Sequence, residues 1–200
     1  MLTGRNDFAS FSEPDPDEGS TLVEVDSAEL FEDDDLIIRT IVLNHRIPCT
    51  GFIFSEKQRP RKLKVDKLQE YGIPFTHYTR IKNGAGFTNA DGSFISNEEL
   101  TENPAVPKSY AFCSDTVYMP ELASQLTGID LLYHEATFLH DMKERALQTY
   151  HTTAKQAAQT ALDAGVNKLL IGHFSARYKQ LEPLLEEART VFPNTDLALE

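Results

Sequence analysis

The stretch 131–178 holds most of the residues whose types could do chemistry. A first apolar run ends in His134 and Glu135, and a second, 168–171, is followed by His173. The order predicted for this stretch is strand, helix, strand, with titratable groups at the carboxyl ends of the strands. Open α/β sheets bind ligands at that edge. Imidazole also exchanges protons near neutral pH, so the stretch predicts a ligand site capable of proton transfer.

The segment that follows His151 is predicted to be a helix with a rigid entrance. Thr153 and Gln156 have the spacing of a capping box, and Gly165 suits a left-handed helix end. Alanines at helical spacing over 154–164 would form a flat face that packs close to a sheet. His151 would thus stand where backbone N–H groups favour an anion such as phosphate.

Five strings occur in a fixed order along the chain: HRIPCTGF (45–52), CSDT (113–116), HEATF (134–138), HTTA (151–154) and GHFSARY (172–178). Together they resemble the ribonuclease Z family, the tRNA 3′-processing endonucleases of the metallo-β-lactamase superfamily. The resemblance covers about residues 36–200. It implies an α/β fold, a metallo-β-lactamase-like αβ/βα sandwich represented mainly by its C-terminal half, with a mixed sheet and packed helices.

The resemblance also implies an activity, a cofactor and partners. Family members remove 3′ trailers from precursor tRNA by phosphodiester hydrolysis with two zinc ions (Zn2+). Zinc accepts imidazole nitrogen and carboxylate oxygen, and two ions can activate water and clamp the oxygens of the displacement. A cytoplasmic homodimer acting on precursor tRNA is the expected form of the complete protein.

Carried over residue by residue, His45, Asp115 and His173 resemble metal ligands of the family. Glu135 and His151 resemble its acid–histidine pair, in which the carboxylate orients the catalytic imidazole. Each residue also has a structural interpretation. The histidines would be satisfied strand-end or buried residues, Asp115 an Asx-turn or helix cap, and the pair a structural hydrogen bond.

Several residues are predicted to contact the substrate. Arg177 could grip phosphate, although a surface salt bridge is the alternative. Thr152 and Thr153 are predicted to be caps first and phosphate donors second. A basic run stands where the family has its tRNA-gripping arm, and a solvated charged helix is the competing interpretation; the run includes Lys57, Arg59, Arg61, Lys62 and Lys64, with Lys67 at its end. His134 is expected to brace its loop, and His77 and His140 to be solvated.

The family's main metal motif, HxHxDH, is missing, because no histidine precedes His45. The remaining ligands could hold one zinc if the fold brings them together, but they cannot build the two-ion site. The expectation is therefore a truncated form that is unlikely to be active alone, with an apolar sheet face left exposed or driving self-association. Two alternatives stay open: a non-catalytic tRNA-binding or dimerising remnant, and a different phosphodiesterase of the same fold.

Bulk properties are those of one globular domain. The net charge of −12 comes almost entirely from residues 1–35, which contain twelve acidic residues and one basic residue. The remainder is near neutral, so a local basic patch could still bind phosphate.

Residues 1–20 are predicted to be an acidic, disordered leader, 21–200 a partial metallo-β-lactamase domain, and 57–107 an arm or loop insertion. No membrane span or secretory signal is visible. Cys49 and Cys113 are predicted to be reduced core residues, with a disulfide as the alternative.

The remaining elements follow from apolar patterning and turn residues. The segment 75–107 is predicted to be irregular. Strands are predicted at 21–25, 36–43, 51–56, 109–113 and 196–199, and helices at 65–71, 119–127 and 178–191.

Overall fold

The computed structural model describes residues 28–199, so the predicted leader (1–20) and strand 21–25 lie outside the described residues. A seven-stranded sheet has the spatial order β1-β2-β3-β8-β9-β10-β11. Its strands are β1 Glu29–Glu32, β2 Leu36–Leu43, β3 Cys49–Glu56, β8 Ser109–Cys113, β9 Leu131–Glu135, β10 Lys168–Gly172 and β11 Thr195–Leu197.

Helices and shorter strands complete the fold. The α-helices are α1 Val65–Glu70, α2 Tyr78–Lys82, α3 Asn97–Leu100, α4 Leu122–Gln125, α5 Lys143–Gln148, α6 Ala154–Ala164 and α7 Glu182–Arg189. The strands of two small hairpins are β4 Lys62–Leu63, β7 Thr101–Glu102, β5 Phe87–Thr88 and β6 Phe94–Ile95. Single 3₁₀ turns occur at Phe75–His77 and His140–Met142. No helix within 28–199 is long and apolar enough to cross a membrane.

The main sheet is antiparallel in its first half and parallel in its second. Strands β1, β2, β3 and β8 pair antiparallel, whereas β8, β9, β10 and β11 pair parallel. Parallel neighbours need crossover connections, which α4, α6 and α7 provide. The carboxyl ends of β8, β9 and β10 therefore meet at one edge of the sheet.

The core lies between the sheet and these helices. Alternate strand residues point to it, among them Ile53, Ala111 and Leu132. The small-residue helix α6 lies against them through Ala157, Ala158 and Ala161, all fully buried. Residues between those positions point to the other face of the sheet, where half-buried aromatic rings stack in pairs; the centroid separations are 5.9 Å for Phe54–Tyr110 and 4.7 Å for Phe112–Tyr133.

The prediction that 75–107 is irregular is wrong. This segment and the residues before it form a small layer with its own core, made of Leu68, Ile73, Ile81, Ile95 and Leu100. The buried Asn97 ties it together, because its amide donates to the carbonyl oxygens of Ile81 and Ala85 at 2.7 Å. Its elements are two to six residues long, too short for periodicity to reveal.

Other boundaries differ from prediction by a few residues. The helix predicted at 119–127 is only Leu122–Gln125, with its C-cap at Leu126 and with Gly128 at φ +70° three residues beyond its last turn. The last helix is Glu182–Arg189, with a proline in its first turn, and the last strand is Thr195–Leu197. Strand β1 was not predicted. Helix α6 is confirmed in full, with both hydrogen bonds of its capping box and Gly165 at φ +61°.

Candidate functional site

The side chains predicted to form a site converge at the carboxyl edge of the sheet. His45 follows β2, Asp115 follows β8 and His173 follows β10, while His151 stands at the entrance of α6. The ring centroids of His45 and His151 are 5.2 Å apart, and those of His151 and His173 are 5.3 Å apart. Asp115 Oδ1 lies 2.9 Å from His173 Nε2. Four separate segments thus bring their titratable groups into one cluster.

The backbone of this cluster is strained at three points. Among the described residues, the non-glycine residues with positive φ are Asp115 (+40°), Tyr150 (+60°) and His173 (+58°). Each belongs to the cluster or directly precedes a member of it. Left-handed backbone costs most side chains free energy and persists only where surrounding structure imposes it. The fold therefore maintains a costly backbone to aim these side chains.

Glu135 is the buried anchor of the site. Its carboxylate is fully buried and accepts hydrogen bonds from His151 Nδ1 at 2.9 Å and from the backbone N–H groups of Thr116 (2.9 Å) and Thr152 (3.1 Å). The Thr137 hydroxyl adds a bond of 2.6 Å. Burial raises the pKa of this carboxyl, but the hydrogen bonds together outweigh burial, and the net pKa is lowered. Glu135 is therefore an anion.

His151 is oriented by that anion. A carboxylate can only accept, so the His151 Nδ1 carries the proton and Nε2 faces the cluster as the second titratable nitrogen. The hydrogen bond to Glu135 raises the pKa of His151 above its usual value, against the opposing effect of burial. The raised pKa favours the protonated form of His151.

The cluster fits a metal ion. One ligand atom each from Asp115, His151 and His173 lie within 4.8 Å of one another. Asp115 Oδ1 is buried and has no hydrogen-bond partner. His173 Nε2 lies only 2.9 Å away, but the two groups do not form a hydrogen bond. A buried, unpartnered carboxylate oxygen facing imidazole nitrogens is the arrangement expected around a cation.

His45 was predicted to be a metal ligand with Asp115 and His173, but the group of close ligand atoms contains His151 instead. The His45 Nδ1 donates to the carbonyl oxygen of Tyr150 at 2.9 Å, and the His45 ring meets the Tyr150 ring edge-on at a centroid distance of 6.2 Å. A carbonyl oxygen only accepts, so a neutral His45 keeps the lone pair of Nε2 for a metal. Metal-binding histidines commonly have such a bond on their second nitrogen.

Thr152 and Thr153 do not reach solvent. Both are fully buried; the Thr152 hydroxyl donates to the Thr116 carbonyl oxygen at 2.7 Å, and Thr153 caps α6. Their predicted contact with phosphate is therefore unsupported.

His140 was expected to be solvated, but its Nδ1 lies 3.1 Å from the Thr153 hydroxyl. His134 is buried, with Nδ1 bonded to the Glu135 carbonyl oxygen at 2.7 Å.

Arg177 lies on the side of the cluster formed by Phe138. Its guanidinium carbon is 4.9 Å from the centroid of that ring, and its Nε donates to the Ser175 hydroxyl at 3.1 Å. The Phe138 ring is in turn 6.3 Å from that of His151. This exposed guanidinium is not in a salt bridge with any residue of 28–199, so its charge is available to a phosphate. The phosphate contact stays a prediction.

The basic run is largely occupied by partners within the chain. Ion pairs join Lys57 to Glu32, Arg59 to Asp35, Lys62 to Glu102, and Lys67 to Glu70 and Glu99. Arg61 donates to Thr101 and Asn103, and Lys64 to the Glu98 carbonyl oxygen. The sequence showed the cations but not these partners, most of which come from distant segments. The predicted basic surface is therefore weaker than the run suggests.

Sequence reasoning missed three residues near the cluster. Tyr150 sets the backbone before His151 and holds His45; Arg46 acts electrostatically on His151; Lys143 lines a cavity beside His151. Only adjacency to a histidine could have pointed to Tyr150 and Arg46. Nothing in the spacing of Lys143 marks it.

The fold and the strand-end cluster define the class: this is a metallo-β-lactamase fold. Similar solved structures include the metallo-β-lactamase fold protein YhfI from Bacillus subtilis, with a TM-score of 0.54 and 17% identity, covering 84% of this chain and 49% of that one. The short form of human tRNase Z matches with a TM-score of 0.52 and 21% identity over 87% of this chain and 44% of that one.

Within that class the chain is a homologue of ribonuclease Z. It is 51% identical to ribonuclease Z of Bacteroides fragilis over 171 residues, 86% of this chain and 56% of that protein. The enzyme of Porphyromonas gingivalis is 45% identical over 173 residues, again 86% of this chain and 57% of that protein. The chain thus spans about half the length of the curated relatives it matches. No family model matches it.

Proposed function

We propose that this chain carries a catalytic part of an endoribonuclease of tRNA 3′-end maturation. The main support is the position of His151, which the buried Glu135 holds beside His173 and the unpartnered Asp115 oxygen. A proton donor next to a metal-competent carboxylate is what hydrolysis of a phosphodiester requires. The likeness to proteins named ribonuclease Z supports precursor tRNA as the substrate.

Asp115 and His173, with His45 as the third group, would hold zinc. A bound zinc ion lowers the pKa of water and stabilises negative charge on phosphate oxygens. Glu135 and the Tyr150 carbonyl orient the surrounding imidazoles through their Nδ1 atoms. These residues would hold one ion, since residues 28–199 contain a single cluster of close ligand atoms; the second zinc of the proposed mechanism would need further ligands.

His151 would act on the leaving group. Water adds across the phosphodiester, the bond between phosphorus and the 3′-oxygen breaks, and that oxygen needs a proton. His151, whose imidazolium form is favoured by the hydrogen bond to Glu135, would supply it from Nε2. The products are a tRNA with a 3′-hydroxyl and a trailer with a 5′-phosphate. Arg177, fixed over Phe138, is placed to bind a phosphate oxygen.

The working protein would be a cytoplasmic homodimer. The basic run would contribute little to binding, because its side chains already have partners. Substrate would then be held mainly around the cluster.

A segment exchange tests the function. The 171 residues that match in the B. fragilis relative are replaced by those of this chain, and the hybrid is given precursor tRNA and a chromogenic phosphodiester. We expect zinc-dependent release of a 3′ trailer, lost in His151→Ala. Cleavage of the small ester alone would favour another phosphodiesterase. Salt-sensitive tRNA binding without cleavage would favour a binding remnant.

A further inference from the structure

A separate small cavity opens beside His151. Its volume is about 180 Å³, and it is lined by Val117, Tyr118, Lys143, Leu147, His151 and Gln156. Apart from His151, none of these residues belongs to the cluster described above. The lining of the cavity therefore includes none of the proposed metal ligands.

The walls of the cavity combine apolar surface with one cation. Lys143 and Leu147 are four residues apart on α5, so they project from the same face of that helix. Leu147 is 64% exposed, and Val117 is half-buried. A flat apolar group could cover both, since an exposed leucine beside a pocket gains from being covered.

Half of the ten lysines within residues 28–199, Lys143 among them, form no ion pair with a described residue. The ammonium group of Lys143 is exposed. By contrast, acidic partners engage Lys57, Lys62, Lys67, Lys108 and Lys168. An unneutralised cation next to an apolar pocket matches the two parts of a nucleotide, its phosphate and its base.

We propose that this cavity receives the nucleotide on the 5′ side of the scissile bond, with its base against Val117 and Leu147 and its own phosphate on Lys143. The inference rests on the proposed function. Its direction follows from His151, which lines the cavity and protonates the leaving 3′-oxygen. That oxygen belongs to the 5′ nucleotide, the last one of the mature acceptor stem before CCA is added.

Binding by the full 200-residue chain tests the phosphate contact. The probe is a fluorescent RNA hairpin that mimics an acceptor stem and ends in a short 3′ overhang, titrated at three salt concentrations. Lys143→Gln should weaken binding by about tenfold and lower the salt slope by about 0.7 to 0.9, the value for one phosphate contact. The matched control is Lys168→Gln, at the opposite end of β10, about 16 Å from His173 along the strand.

An abasic probe tests the base contact. The base of the first overhang nucleotide is removed, and the loss of affinity is compared in wild type and Leu147→Ala. We expect the abasic loss to shrink in Leu147→Ala, because base and side chain contact each other. Equal losses in both proteins would overturn the base assignment, and wild-type affinity in Lys143→Gln would overturn the phosphate assignment.

The two failures can be told apart. If the segment-exchange hybrid cleaves precursor tRNA while Lys143→Gln and Leu147→Ala behave as wild type, only the cavity assignment falls. If the wild-type chain binds no hairpin and the hybrid cleaves nothing, the function falls with it. Both variants alter exposed side chains, so circular dichroism should give the wild-type spectrum for each.

Discussion

Glu135 Oε1 lies 2.9 Å from His151 Nδ1, and the same buried carboxylate accepts hydrogen bonds from the backbone N–H groups of Thr116 and Thr152. One anion therefore joins three segments: the loop after β8, the end of β9 and the entrance of α6. The consequence is that the geometry of the candidate site and the stability of the fold depend on the same side chain.

Replacing Glu135 with alanine should destabilise the fold strongly. The change removes a fully buried charge and leaves three buried N–H groups, the Thr137 hydroxyl and the imidazole without their acceptor, a loss of about 3 to 5 kcal/mol in comparable cases. Urea denaturation measures it. The matched control, Glu144→Ala on the exposed side of α5, should stay within about 0.5 kcal/mol of wild type. Equal midpoints for the two variants would refute the anchoring role.

Tyr150 gives a direct test of the strained backbone. Its φ of +60° suits glycine or asparagine, whereas a β-branched residue is strongly disfavoured there. Tyr150→Val should therefore be less stable than Tyr150→Asn or Tyr150→Gly, by about 1 to 3 kcal/mol relative to the better of the two. All three changes remove the aromatic ring, so the comparison isolates the backbone. Indistinguishable denaturation midpoints would mean that the left-handed conformation is not required.

Asp130, at the opposite edge of the sheet, should make stability depend on acid pH. The Lys108 ammonium, 3.0 Å from Oδ1, holds the pKa of this carboxyl at about 2, with help from Ser109 and Asn167. Because the folded-state pKa is lowered, its stabilisation is complete above about pH 4 and is lost as the pH falls through about 2. The stability difference between wild type and Asp130→Asn should therefore narrow from pH 5 to pH 2, measured by thermal unfolding. A constant difference would contradict the assignment.

Much of the sheet and helix α6 could be predicted, because their signals are local. The β-branched run of β2 and the alanine spacing with the Thr153 cap each decide one element. The convergence of His45, Asp115 and His173 followed from the order of strand ends. Resemblance to a family then supplied roles that no spacing could provide.

The remainder depended on long-range partners. The short elements within residues 62–102 are ordered by Asn97 and by a few buried side chains far apart in sequence. The acids that neutralise Lys57 and Arg59 lie in and after β1, more than twenty residues away. The left-handed Tyr150 is imposed by its surroundings and runs against the preference of its residue type.

Metal binding by Asp115 and His173 is central to the proposed mechanism, and zinc content tests it directly. The chain is purified, dialysed against limiting zinc and analysed by atomic emission, beside the double variant Asp115→Asn, His173→Ala and a His140→Ala control. We expect a single zinc ion in wild type and in His140→Ala, and almost none in the double variant. Retention of zinc by the double variant, or failure of wild type to bind zinc, would contradict the role of Asp115 and His173 as metal ligands.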